Sequence, residues 1–166
     1  MMLTPDIKNY IDRSVLCWLA TVSADNVPNV SPKETFTYYG DTHIIIANIA
    51  SPQTVRNIKQ NSDVCISFVD VFVQKGYQLK GKACLVRRSD PGFALMEAPL
   101  LKFTEGKFPF STITSVVVEQ AKPIVAPRYV LYPGTTERQQ IASAMKTYGV
   151  APYPPLPECS STQDPV

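Results

Sequence analysis

Residues 15–49, VLCWLATVSADNVPNVSPKETFTYYGDTHIIIANI, read as three apolar strand runs separated by very short connections. The stretches SADNVP and YYGDT carry the Gly, Asn, Asp and Pro that turns demand. These short connections constrain the fold more than any other feature of the chain. A parallel crossover needs about a dozen residues or more. The strands are therefore expected to pair antiparallel, as a meander.

More strands follow. In SDVCISFVDVFV, alternation puts Val64, Ile66 and Phe68 on one face and Cys65, Ser67 and Val69 on the other. YQLKGKACLVRR is its expected partner, and Gly81 inside it predicts a bulge or a close backbone approach. STITSVVVEQAKPIVA returns to strand. A first helix is expected after Thr4, with Pro5 at its first position, Asp6 at its positive end and Ile7, Tyr10 and Ile11 on one face. A second runs from Pro52 to about Asn61, and a third covers PGFALMEAPLLKF. A fourth covers TTERQQIASAMKTYG, with a Thr136–Gln139 capping box and Gly149 as its stop. Residues 1–150 are expected to form one domain, and the proline-rich residues from Ala151 onward an extended tail.

This order is not strict β-α-β alternation. It points to a mainly β fold, an antiparallel barrel or curled sheet of six strands with helices outside. A doubly wound nucleotide-binding sheet is not expected: no G-x-G-x-x-G and no Walker loop occurs among seven glycines.

Composition excludes several classes. Hydrophobic residues make up 45% and charged residues 18%, which are globular values. A net charge of +2 and the lack of any basic run argue against nucleic acid. No long apolar segment or signal-like h-region is present, so a cytoplasmic protein without a membrane span is the expectation. Four cysteines form no C-x-x-C pair, and three of them sit in strand-like runs as small hydrophobes. His43 is the lone histidine, which leaves no support for a zinc site or a Ser-His-Asp mechanism.

The junction IIIANIASPQTVRNIKQN changes from strand to helix at Ser51-Pro52-Gln53-Thr54. Two readings stand here. In the first, Ser51 serves only as the N-cap, with Pro52 at the first helical position. Alternatively, free N–H groups, the Ser51 and Thr54 hydroxyls and the Gln53 amide hold a phosphate. Lys33, in VSPK, lies on a strand expected to pass near this helix start, and Pro32 marks an edge or bulge there.

LATVSADNVPNVSPKETF, IIIANIASPQTVRNIKQNSDVCISF and YQLKGKA, in this order, resemble the pyridoxamine 5'-phosphate oxidase-like family of FMN-binding split barrels. YVLYPGTTERQQIASAMKTYGV resembles an ending found in one subgroup of small members. The resemblance implies a six-stranded antiparallel split β-barrel with peripheral α-helices. It also implies a homodimer that holds FMN in clefts at the subunit interface. Val30, Ser31, Pro32 and Lys33 would then run along the ring and ribityl chain. Asn48 and Ile49 would lie beside them, and Ser51, Gln53 and Thr54 would hold the phosphate. Asn57 would anchor the helix to the barrel. No catalytic side chain and no metal is implied.

The chain departs from the family pattern at two points. Gln53 stands where many members have a basic residue, and Pro52 where the true oxidases have arginine. A charge-assisted hydrogen bond is roughly twice as strong as a neutral one, so FMN is expected to bind less tightly. The C-terminal arginine motif of the true oxidases is also missing; Arg128 and Arg138, the late arginines, lie in other contexts. The expectation is an FMN-binding, flavin-dependent oxidoreductase-like protein that does not oxidise pyridoxamine 5'-phosphate. The alternatives are a non-catalytic flavin or deazaflavin carrier or stress-related module, and a bare barrel in which Ser51 is only a cap.

Overall fold

A computed structural model describes residues 1–152. Beyond Pro152, the tail read from Ala151 lies outside the described residues. The order of elements is α1 (Pro5–Arg13), β1 (Cys17–Val22), β2 (Pro28–Lys33), β3 (Phe36–Tyr39), β4 (His43–Ala47), α2 (Pro52–Gln60), β5 (Asp63–Asp70), β6 (Lys75–Arg87), α3 (Phe93–Thr104), β7 (Thr112–Val125), α4 (Pro127–Leu131) and α5 (Glu137–Tyr148). Among the described residues no helix is long and apolar enough to cross a membrane.

The strands form one sheet in the order β2-β1-β5-β6-β7-β4-β3, and every neighbouring pair is antiparallel. Its two edge strands, β2 and β3, are consecutive in sequence and separated only by Glu34 and Thr35. A two-residue link spans at most about 10 Å, so the sheet must curl until its edges nearly meet. They do not hydrogen-bond to each other, and the gap between them splits the barrel.

The expected six strands are therefore seven. PNVSPKETFTYY is one run in the sequence but two strands in space, because the chain turns from one sheet edge to the other at Glu34-Thr35. β5 also stops at Asp70, short of the Val73 that its apolar run suggests. The Asp70 carboxylate accepts the N–H groups of Phe72 and Val73 at 3.0 and 3.1 Å, and Gln74 takes a left-handed φ of 57°. These local bonds outcompete continued pairing. The short helix α4 was not expected from the sequence.

The interior face of the barrel joins Leu19, Ile44, Ile46, Ile66, Phe68 and Leu79 with Ile7 and Tyr10 of α1 and Ile58 of α2. Helix α3 covers the opposite face of β4, where Phe93 and Leu100 pack on Ile45 and Ala47. With both faces buried, β4 reads as an unbroken apolar run rather than an alternating one. The bulge expected at Gly81 is present. Pairing to β7 jumps between Lys80 and Gly81, and a Cβ on Gly81 would lie 1.9 Å from the Val117 carbonyl oxygen. The Thr136–Gln139 capping box and the left-handed Gly149 stop of α5 are also as expected.

Candidate functional site

Strand β2 ends where β4 hands over to α2. Along β2, Pro28, Val30 and Pro32 face outward, while Asn29 and Ser31 are half-buried and Lys33 is buried. Lys33 pairs with Cys17 of β1 and is only 5% exposed. Burial drives its pKa below the ordinary lysine value. The same burial pushes the Cys17 thiol up to about 12. No carboxylate forms an ion pair with Lys33 among the described residues. Its ammonium donates instead to the Ser51 hydroxyl. A buried cation without an anion is costly, and Lys33 is the one lysine or arginine among the buried residues described.

The segment after β4 is closely held. Asn48 donates its backbone N–H to the Thr112 carbonyl at 3.1 Å. Its side chain donates to the Thr112 hydroxyl at 3.3 Å and accepts from the Thr114 hydroxyl at 2.9 Å. Ile49 N–H closes onto the Ala47 carbonyl at 3.1 Å, and Ala50 then takes a left-handed φ of 49°, which costs a non-glycine residue energy. This turn brings the Ser51 hydroxyl back to donate to the Ile49 carbonyl at 2.9 Å.

Ser51 therefore does not cap α2. It occupies the N-cap position, but its side chain makes no cap hydrogen bond. The expectation that it satisfies a helix N–H is corrected: the hydroxyl is drawn to Lys33 and Ile49. Pro52 brings no N–H, and the first turn of α2 carries no acidic residue. Its N-terminal dipole is left without a side-chain anion.

On α2, Thr54 is buried at the helix start. Gln53 turns along the helix, donating to Asn57 Oδ1 at 2.7 Å and accepting from Arg56 at 2.7 Å. Asn57 in turn donates to the Thr21 hydroxyl at 2.9 Å, anchoring α2 to β1 as expected. The structure thus brings Lys33, Ile49 and Ser51 together, with Gln53 and Thr54 following on the first turn of α2. The amide of Asn48 is turned to β7 and is not bonded to this group.

Sequence reasoning missed Arg56, an exposed guanidinium one turn past the junction and in contact with Gln53. Its i+3 spacing from Gln53 was the available signal. It also missed Phe103 and Phe108. A cavity of about 340 Å³ opens beside Lys33, lined by Pro32, Ala47 and Ile49 and by these two rings, which come from the end of α3 and the loop after it. No local pattern connects residues so far apart in sequence.

A family model described as pyridoxamine 5'-phosphate oxidase matches residues 3–139. The chain belongs to this family. Among solved structures, HupZ of Group A Streptococcus is similar at 26% identity and a TM-score of 0.64, covering 74% of this chain and 100% of that one. An FMN-binding protein from Syntrophomonas wolfei shares the fold at 16% identity and a TM-score of 0.62, covering 72% of this chain and 84% of its own. The heme storage protein HutZ of Vibrio cholerae does so at 21% identity and a TM-score of 0.60, covering 75% and 95%. No curated protein matches the sequence. The family's split-barrel architecture is that of the curled sheet described above.

Proposed function

We propose that this chain binds FMN and acts as a flavin-dependent oxidoreductase of the pyridoxamine 5'-phosphate oxidase-like family. The observation that carries the reading is the buried Lys33 ammonium, which among the described residues has a hydroxyl partner but no anion, next to a helix start that its own Ser51 side chain does not cap. A phosphate dianion supplies what both lack. Lys33 and Ser51 would meet it from the barrel side, and the Thr54 hydroxyl with the backbone at Gln53 and Thr54 from the helix side. Arg56 offsets part of the charge missing at Pro52 and Gln53.

Bound flavin would supply the redox chemistry. The chain's own residues would bind, orient and shield it. Val30, Ser31 and Pro32 would run beside the ring and ribityl chain, with Ile49 packed against them. Trp18 and Val30, 48% and 58% exposed on the outer side of β1 and β2, support a second copy covering this face as a homodimer. Pyridoxamine 5'-phosphate oxidation is not part of the proposal, since Arg128 and Arg138 belong to α4 and α5, away from any C-terminal arginine motif.

One observation favours a non-catalytic flavin or deazaflavin carrier as the second reading. Gln53 is committed to Asn57 and Arg56, so fewer side chains remain to grip the phosphate. The test is an absorption spectrum after adding FMN and removing the excess by gel filtration. Retained bands near ~375 and ~450 nm are expected of bound oxidised flavin. They should be lost when Ser51 and Thr54 are both changed to alanine. Retention of no flavin by the unaltered protein would overturn the reading. Bleaching of those bands by NADH or NADPH, followed by turnover, separates an enzyme from a carrier.

A further inference from the structure

Phe103 and Phe108 are 55% and 57% exposed, yet both line the cavity that Lys33 reaches. Nearby, Phe93 and Phe110 are buried and pack with their ring centroids 6.2 Å apart, tilted by 49°. Neither Phe103 nor Phe108 enters a ring pair among the described residues. Two large exposed apolar rings beside one cavity, without a ring partner among the described residues, mark a surface that a ligand can cover.

Their placement is built into the backbone. Directly after Phe103, the buried Thr104 ends α3. Glu105 and Gly106 both take left-handed φ values, 47° and 74°, and reverse the chain. Lys107 N–H bonds to the Thr104 carbonyl at 2.8 Å, and Gly106 N–H to its hydroxyl at 3.3 Å. This reversal returns Phe108 to the cavity that Phe103 already lines. Charge then orients the occupant. Lys33 attracts an anionic end, while the exposed Glu34 carboxylate, on the same cavity, repels one.

We propose that Phe103 and Phe108 form the wall on which the planar aromatic ring of the bound ligand packs, with its anionic end turned toward Lys33. This deepens the FMN reading and rests on it for the identity of the ligand. It assigns to the end of α3 the recognition of the ring, separately from recognition of the phosphate.

The test titrates FMN and riboflavin, followed by flavin fluorescence, into the unaltered protein, Phe103→Ala/Phe108→Ala and Lys33→Met. Thermal melts check that each variant is folded; exposed rings should be removable without loss of the fold. The double alanine variant should weaken FMN and riboflavin alike, by about tenfold or more, because ring packing is common to both. Lys33→Met should weaken FMN and leave riboflavin nearly unchanged. If the folded double variant binds both flavins as tightly as the unaltered protein, the wall assignment is overturned while FMN binding stands. If the unaltered protein binds no flavin, the FMN reading fails, and the wall is tested with the planar aromatic anion anilinonaphthalene sulfonate. Loss of its fluorescence enhancement in the double variant and in Lys33→Met supports the wall; equal enhancement in all three overturns it.

Discussion

Changing Lys33 to methionine should make the ligand-free protein more stable and its FMN complex much weaker. Lys33 is almost fully buried and, among the described residues, has no carboxylate partner and makes one side-chain hydrogen bond, to Ser51. Losing a hydrogen bond to a charged group costs about 1.5–3 kcal/mol. Removing an uncompensated charge from the interior returns several kcal/mol, and methionine refills most of the volume. The net expectation is a gain of about 1 kcal/mol, or a melting temperature higher by about 2–4 °C for a domain of this size.

The pH dependence has a definite sign. Burial lowers the folded-state pKa of Lys33 below its ordinary value of 10.5. Between that lowered value and 10.5 the unfolded chain binds the extra proton, so the stability of the unaltered protein rises with pH across this window. The methionine variant should lack that part of the rise. With FMN the order reverses. Loss of one charge-assisted phosphate contact, about 2.7 kcal/mol, corresponds to about a hundredfold in affinity. Excess FMN should therefore raise the melting temperature of the unaltered protein far more than that of the variant. Differential scanning fluorimetry over pH, with and without FMN, reads all three effects. A variant that melts lower than the unaltered protein and binds FMN equally well would refute the view of Lys33 as a cation awaiting an anion.

Three further outcomes are expected. Gly81→Ala should cost about 3 kcal/mol or more and be visible in a circular dichroism melt, because its Cβ meets the Val117 carbonyl at 1.9 Å; an unchanged melt would refute the close approach. Of the three cysteines among the described residues, iodoacetamide at about pH 8 should modify the exposed Cys84 first, the half-buried Cys65 more slowly, and Cys17 only in denaturant, since burial holds the Cys17 thiol at about 12. Peptide mass mapping checks that order, and early labelling of Cys17 would contradict its burial. Thr136→Ala should lose about 1 kcal/mol by removing the α5 cap, while Thr136→Ser should keep most of it.

Much of the fold was legible where local chemistry and tertiary packing agree. The first and last helices start at Thr4 and Thr136, whose hydroxyls make the expected cap bonds. Gly81 marked the bulge because it lies against the next strand's backbone. The first failure was at Glu34-Thr35, where nothing in a continuous strand-like run says that the chain crosses from one sheet edge to the other. The second was at Asp70, whose carboxylate gathers two backbone N–H groups and ends a run that remains apolar to Val73.

The candidate site divides in the same way. Its residue types and their order along the chain, from Val30 to Lys33 and from Asn48 to Thr54, were apparent from the sequence and its family resemblance. The duty of Ser51 was not. A serine before a proline looks like a cap, and only the arrival of Lys33 from a distant strand and the strained turn at Ala50 draw its hydroxyl elsewhere. By itself the sequence determined four of the five described helices, most of the strand segments and the antiparallel pairing, because periodicity, caps and short connections act within a few residues. The resemblance also carried the split barrel; tertiary structure alone decided that the chain crosses between sheet edges at Glu34-Thr35, that Lys33 is buried without an anion among the described residues, and that Phe103 and Phe108 share its cavity. Those outcomes depend on which remote surfaces exclude water together, and no local pattern encodes that.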